Sequence, residues 1–353
     1  MRDIDVKQAI KEKNVQWIDV RSPREFAEAT VPGAVNVPLF DNEERAEIGT
    51  IYKKQGKQAA IRQGMEIVSP KIPHLVDAML EQSAGRTPLL FCWRGGMRSE
   101  SMATFLDLAR EPALRLEGGY RAYREHVVNR LENIPIYFRF VVLHGLTGVG
   151  KTALLHRIQD QEVPVLDLEG LAGHRGSAFG SLGETHPRNQ RMFDALLLKE
   201  LERYREEPYV FIEAESKRIG RVQLPDFMVK AKDDGIPVLV EASESSRVDH
   251  ILDTYLQQHH TKEFQRQVMG AISRIERRLP PDTRKALWDW AERGEYRPLV
   301  RTLLTQYYDP RYQYSQARYQ YVLHIQSDDM DQATAELVSF HHRLLKEQTA
   351  LHP

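Results

Sequence analysis

Two short stretches combine residue types and spacings that could do chemistry. FCWRGGMRSE (91–100) holds Cys92, the single cysteine of 353 residues, followed by Arg94, Gly95, Gly96 and Arg98. A glycine-bearing loop that runs into a helix, expected to begin near Ser99, turns backbone N–H groups toward one point. Such a nest binds anions and stabilises thiolate, the reactive form of cysteine. The spacing is C-x5-R followed by Ser, which places Arg98 to close a ring around a tetrahedral oxyanion or chalcogen group, with Arg94 adding charge. Cysteine phosphatases share this spacing, so the loop alone leaves phosphate hydrolysis and chalcogen transfer open. They usually carry His before the cysteine, where this chain has Phe91.

GLTGVGKT (145–152) satisfies G-x4-G-K-[ST] at every required position, between the strand-like FRFVVLH and the helix-like TALLHRI. In that context Gly145, Thr147, Gly148, Val149 and Gly150 supply backbone N–H groups around two phosphates. Lys151 reaches an outer phosphate oxygen, and the Thr152 hydroxyl suits Mg²⁺. Acidic partners for a metal or for proton transfer are Glu213 and Glu215 in FIEAE and Asp167 in VLDLEG, where Glu169 is equally placed. His174 and Arg175 fall in a glycine-rich run, 170–183, that reads as a substrate loop, and Lys217 and Arg218 lie just past the acidic strand end. A phosphate loop recognises diphosphate rather than a base, so a kinase or ATPase is one reading and any diphosphate substrate another.

These residues need elements to hold them. VQWIDV (15–20) reads as a buried strand, and SPREFAEA as a helix with Ser22 at the N-cap, Pro23 first and Glu25 three residues on. Residues 71 to 82 and 99 to 109 read as helices around the strand PLLFCW, and LRLEGGYRAYR as strand, glycine turn and short helix. Pro135 marks a seam at 130 to 137. Strand-like runs follow at 138–145, 163–170, 209–216, 237–243 and 321–326. Alternating strands and helices predict parallel sheets. The expectation is an α/β chain of two domains, residues 1–132 and 133–353, the second containing a mainly helical subdomain at about 245–318.

Composition bounds the function. With 49 basic and 50 acidic residues the net charge is -1, so any polyanion site must be a local patch. Between Lys262 and Arg301 basic residues outnumber acidic ones by ten to six. Arg274, Arg277 and Arg278 lie there, and Arg311 is interleaved with tyrosines just beyond, in QYYDPRYQYSQARYQY. Arginines for phosphates and aromatic rings for unstacked bases suit single-stranded RNA such as an anticodon loop. One cysteine, a polar start and no long apolar run predict a cytoplasmic chain without a membrane span.

DVRSPREFAEATVPGAVNVPL, the cysteine loop and LEGGYRAYR, in this order, resemble a single-domain rhodanese over roughly residues 1 to 130. That resemblance implies a persulfide or its selenium equivalent on Cys92, with Asp19 and Arg21 organising the pocket, and the loop is longer than the usual six residues. Together CWRGGMRS, GLTGVGKT and DLEGLAGHRGSAFG resemble the tRNA 2-selenouridine synthase family across essentially the whole chain. The resemblance implies a transferase that replaces the sulfur of wobble 2-thiouridine by selenium. Its co-substrates would be selenophosphate and geranyl diphosphate, with Mg²⁺ at the phosphate loop. Its partners would be the tRNA anticodon loop and an enzyme that produces selenophosphate. Competing readings are a phosphate-loop kinase or ATPase with a rhodanese-like module, and a cysteine phosphatase or arsenate reductase.

Overall fold

The computed structural model describes residues 1–174, 187–256, 261–311 and 318–351. It divides into two units, Met1–Ile134 with Asn189–Leu198, and Pro135–Arg188 with Lys199–Pro353.

The first unit is built on five parallel strands: β1 (Arg2–Ile4), β2 (Val15–Asp19), β3 (Val35–Asn36), β4 (Thr87–Phe91) and β5 (Leu114–Leu116), in the order β1-β5-β4-β2-β3. Asp19 on β2 pairs in register with Phe91 on β4, so the next residue, Cys92, leaves the sheet at the same edge as Asp19. Ligands bind at the carboxyl ends of strands in open α/β sheets. Ile18, Leu90, Met79, Met102 and Leu106 fill the core beneath that edge. After β2, Ser22 and Glu25 form a reciprocal capping box that starts the Pro23–Glu28 helix.

Three features of this unit differ from the expectation. The polar start forms β1, which is only three residues long and pairs with β5. Two helices, Asn42–Gln55 and Lys57–Val68, occupy a stretch with no assigned element; none of the 14 residues of the first is buried, so it has no apolar stripe to read. The helix after the Gly118 turn is not short: it runs Gly119–Glu132.

The second unit carries β6 (Arg139–His144), β7 (Val165–Leu166), β8 (Tyr209–Glu213), β11 (Ile236–Glu241) and β12 (Leu323–Gln326), all parallel in the order β12-β11-β6-β8-β7. A small antiparallel pair, β9 (Arg218–Ile219) and β10 (Val222–Gln223), stands apart. The Met330–Leu351 helix packs Ala333, Leu337, Phe340 and Leu344 onto the core of this sheet at helical spacing. The strand expected over 163–170 shrinks to two residues, because Asp167 caps a new helix, Leu168–Ala172, by accepting from the Gly170 N–H at 2.8 Å.

From Glu244 to Tyr308 every element among the described residues is a helix. Their own core includes Phe264, Ile272, Leu287 and Leu303. Tyr307 and Tyr308 are buried in it, which corrects the reading of those two rings as a surface for bases; burial of their apolar area outweighs exposure. Tyr312 and Tyr314 lie outside the described residues. Among the described residues no helix is long and apolar enough to cross a membrane.

Candidate active sites

Cys92 directly follows β4 and is 3% exposed. Its Sγ lies 3.3 Å from Ser99 Oγ and 3.7 Å from the Gly96 carbonyl, and Ser99 Oγ donates to that carbonyl at 3.1 Å. The helix behind the loop begins at Met97, two residues earlier than expected. The loop is fastened from outside: the Tyr120 and Arg121 N–H groups donate to the Cys92 and Trp93 carbonyls at 2.8 and 3.0 Å. This requires two glycine pairs to meet. A Cβ on Gly119 would fall 2.2 Å from the Cys92 carbonyl oxygen, and one on Gly95 2.7 Å from that of Leu116, both at positive φ. LEGGYR is thus the backing of the cysteine loop.

Arg94 is exposed, as a group that meets an incoming anion would be. Arg98 is placed differently from the expectation. It does not point its guanidinium around the thiol but donates to Glu25, at 2.7 Å to Oε2 and 3.3 Å to Oε1. Burial raises the Glu25 pKa, but the hydrogen bonds and charge of Arg98 outweigh it, so the carboxyl sits below its ordinary range. Asp19 and Arg21 form a fully buried pair, bidentate with Arg21 Nη2 at 2.6 Å from Oδ2. Thr30 donates to the same carboxylate, and the guanidinium stacks 4.3 Å over Tyr120. This pair braces the strand end and the Tyr120 helix rather than touching the thiol.

At the end of β6 the chain turns through Gly145, Gly148 and Gly150, all at positive φ, and Lys151 opens a helix that runs to Gln159. A Cβ on Gly145 would lie 2.4 Å from the Val240 carbonyl oxygen. Lys151 Nζ donates to the carbonyls of Gly145 and Leu146 at 3.0 and 3.3 Å, curled over its own loop. The outward carbonyls are tied down as well. Thr147 O accepts from Arg247 Nε at 2.9 Å, Gly148 O lies 3.0 Å from His250 Nδ1, and Val149 O accepts from Ser327 Oγ at 2.7 Å. Arg247, itself buried, is also held bidentately by Asp309. Sequence reasoning missed these three supports, since nothing local marks them.

Thr152 Oγ1 donates to Glu169 Oε2 at 3.3 Å. Carboxylate oxygens of Glu169, Glu213 and Glu215 lie within 4.8 Å of one another. Glu213 is 2% exposed and its Oε1 has no hydrogen-bond partner. Burial, then the charge of Glu169, drives its pKa well up, against the opposing pull of Lys151. A buried carboxylate with one oxygen unpartnered, among two others and beside the Thr152 hydroxyl, fits a hard divalent cation that takes oxygen ligands. Asp167 is not in this group. Its carboxylate caps the Leu168–Ala172 helix and lies 2.9 Å from His156 Nε2, and Glu169, two residues on, takes the expected place.

His144, the last residue of β6, is buried against Tyr319 and Tyr321, with ring centroids 4.3 and 5.5 Å away. Burial, aided by Lys232 and Lys151, lowers its pKa to about 4, so the ring is neutral. His174 is half-buried, with its ring against Gly220 and Nδ1 unpartnered. Arg175 lies outside the described residues. Lys217 pairs with Asp226 at 2.5 Å and Arg218 donates to the Gly220 carbonyl, so both are occupied locally. Arg274, Arg277 and Arg278 are exposed at one helix end. Arg311 stacks 3.6 Å over Tyr307 and bonds its carbonyl, so it packs on a ring of its own chain.

A cysteine loop backed by LEGGYR on one parallel sheet and a phosphate loop on another define the class: a rhodanese-like domain joined to a phosphate-loop domain. Residues 4–126 match the rhodanese-like domain family, and residues 138–343 match the family described as the tRNA 2-selenouridine synthase AAA domain. The chain belongs to the tRNA 2-selenouridine synthase family. It is similar to the tRNA 2-selenouridine synthase of Hydrogenovibrio crunogenus, 33% identical across 87% of this chain and 91% of that one. It is likewise similar to that of Cupriavidus pinatubonensis, 36% identical across 85% and 88%. With the synthase of Nitrosomonas europaea it is 35% identical across 75% and 67%.

Proposed function

We propose that the chain replaces the 2-sulfur of a thiolated uridine in tRNA by selenium, with selenophosphate as donor and an S-geranylated nucleoside in between. Family membership supports the selenouridine outcome. The observation that carries the two-stage route is the pairing of a cysteine loop with a phosphate loop whose Lys151 rests on two main-chain carbonyls that phosphate oxygens can replace.

In the first stage the thiouridine sulfur attacks C1 of geranyl diphosphate. The C1–O bond breaks, diphosphate leaves with the bonding pair, and the N3 proton of the base is lost to solvent. Lys151 and the loop N–H groups stabilise the charge that grows on the leaving group, and Arg247, His250 and Ser327 keep the loop in shape from behind. A divalent cation bound by Glu169, Glu213 and Glu215 beside Thr152 would add charge neutralisation there.

In the second stage selenium, handled in the Cys92 loop, bonds to C2. The C–S bond breaks, geranylthiol departs, and water cleaves the Se–P bond to release phosphate. Alkylation in the first stage is what makes sulfur a competent leaving group.

The test is incubation of 2-thiouridine tRNA with geranyl diphosphate, with and without selenophosphate, read by nucleoside mass spectrometry. S-geranyl nucleoside without the selenium donor and 2-selenouridine with it are expected. A requirement for ATP in place of geranyl diphosphate would overturn the reading in favour of a kinase or ATPase.

A further inference from the structure

Between Ile48 and Met65 the chain carries Lys53, Lys54, Lys57 and Arg62 and no carboxylate, in a protein whose net charge is -1. The structure folds this stretch into a helical hairpin, Asn42–Gln55 then Lys57–Val68, joined at Gly56. The three lysines are exposed around that turn, and among the described residues none of them has an acidic partner within ion-pair distance. Arg62 is also exposed, with Glu66 at 3.5 Å.

Helix stability does not account for these charges. Lysines at the end of the first helix suit its dipole, but Lys57 opens the second helix, where a cation is disfavoured and no acid compensates. The acidic residues of the first helix, Glu43, Glu44 and Glu47, instead lie in its first half, where Asp41 and Glu44 form a capping box.

Beside the lysines a groove of about 480 Å³ runs along the first helix, lined in part by Arg45, Tyr52 and Lys53. Tyr52 is 58% exposed, and the absent side chain of Gly49 keeps the groove open against Arg45. Arg45 Nε lies 3.6 Å from Glu25 Oε2, the oxygen that also receives Arg98 of the cysteine loop. Through Glu25, Arg45 in the groove lining is thus linked to Arg98 of the cysteine loop within one unit.

We propose that this hairpin is an RNA-binding arm of the rhodanese-like unit. The lysines at its tip hold phosphates of the tRNA backbone, and Tyr52 stacks on an unpaired base, which directs the RNA toward Cys92. The inference rests on tRNA being the substrate, as proposed above.

The test is tRNA binding by the full chain across a salt series, for wild type, Lys53→Gln/Lys54→Gln/Lys57→Gln, and a charge-matched control, Lys7→Gln/Lys11→Gln/Lys13→Gln. Melting temperatures would verify that all three are folded. The arm variant should bind roughly tenfold or more weakly near 0.1 M salt, and its slope of log affinity against log salt should be shallower by about two to three. Tyr52→Ala should weaken binding with the slope unchanged. Wild-type affinity and slope in the arm variant, or an equal loss in the control, would overturn the arm while leaving the tRNA reading intact. Absence of tRNA binding by wild type would overturn both.

Discussion

Arg98 donates two hydrogen bonds to Glu25, so the arginine of the C-x5-R spacing is anchored by the capping residue of a helix 73 positions earlier in the chain. The pair is partly buried, with side chains 17% and 26% exposed, and is worth about 0.5–1 kcal/mol. Glutamine still serves in the capping box, so Glu25→Gln removes only the ion pairs of Glu25, with Arg98 and more weakly with Arg45. The folded pKa of Glu25 lies below its ordinary 4.5, so its stabilisation is complete above that value and is lost as pH falls through the lowered one. Denaturant titrations should show Glu25→Gln less stable than wild type at pH 7, with the gap closing below about pH 4. A gap that persists at low pH would contradict this.

The Asp19–Arg21 pair is fully buried, and removal of one member leaves a charge with no partner in the interior. Arg21→Ala should cost about 3–5 kcal/mol, measured by equilibrium unfolding. A loss under 1 kcal/mol would show that solvent reaches the pair.

Glu213→Gln exchanges a buried carboxyl with one unpartnered oxygen for a neutral group of the same shape. Without divalent ions its melting temperature should stay within a few degrees of wild type, whereas the rise produced by Mg²⁺ in wild type should be lost. An equal rise in the variant would remove Glu213 from the metal ligands.

Much of the fold is legible in the sequence because its strands are continuous apolar runs and the Ser22 helix carries all of its start signals. The phosphate loop is legible for a similar reason, being eight contiguous residues between a strand and a helix. What escapes reading depends on distant burial. Glu25 looks like a cap alone because Arg98 approaches it only after folding. Asp167 and Glu169 are indistinguishable until one of them caps a helix. Tyr307 and Tyr308 look like a base platform until the helical core closes over them. Arg247 is an unremarkable helix residue until Thr147 O and Asp309 are brought to it.

The central claim is that geranyl transfer depends on the phosphate loop and selenium incorporation on Cys92. Nucleoside mass spectrometry of 2-thiouridine tRNA treated with geranyl diphosphate, Mg²⁺ and selenophosphate tests it in Cys92→Ala and Lys151→Ala. Cys92→Ala should accumulate S-geranyl nucleoside at near wild-type rate with no 2-selenouridine, and Lys151→Ala should lose at least a hundredfold of the geranylation rate. Equal loss of both products in folded Cys92→Ala, or undiminished geranylation in Lys151→Ala, would contradict the account.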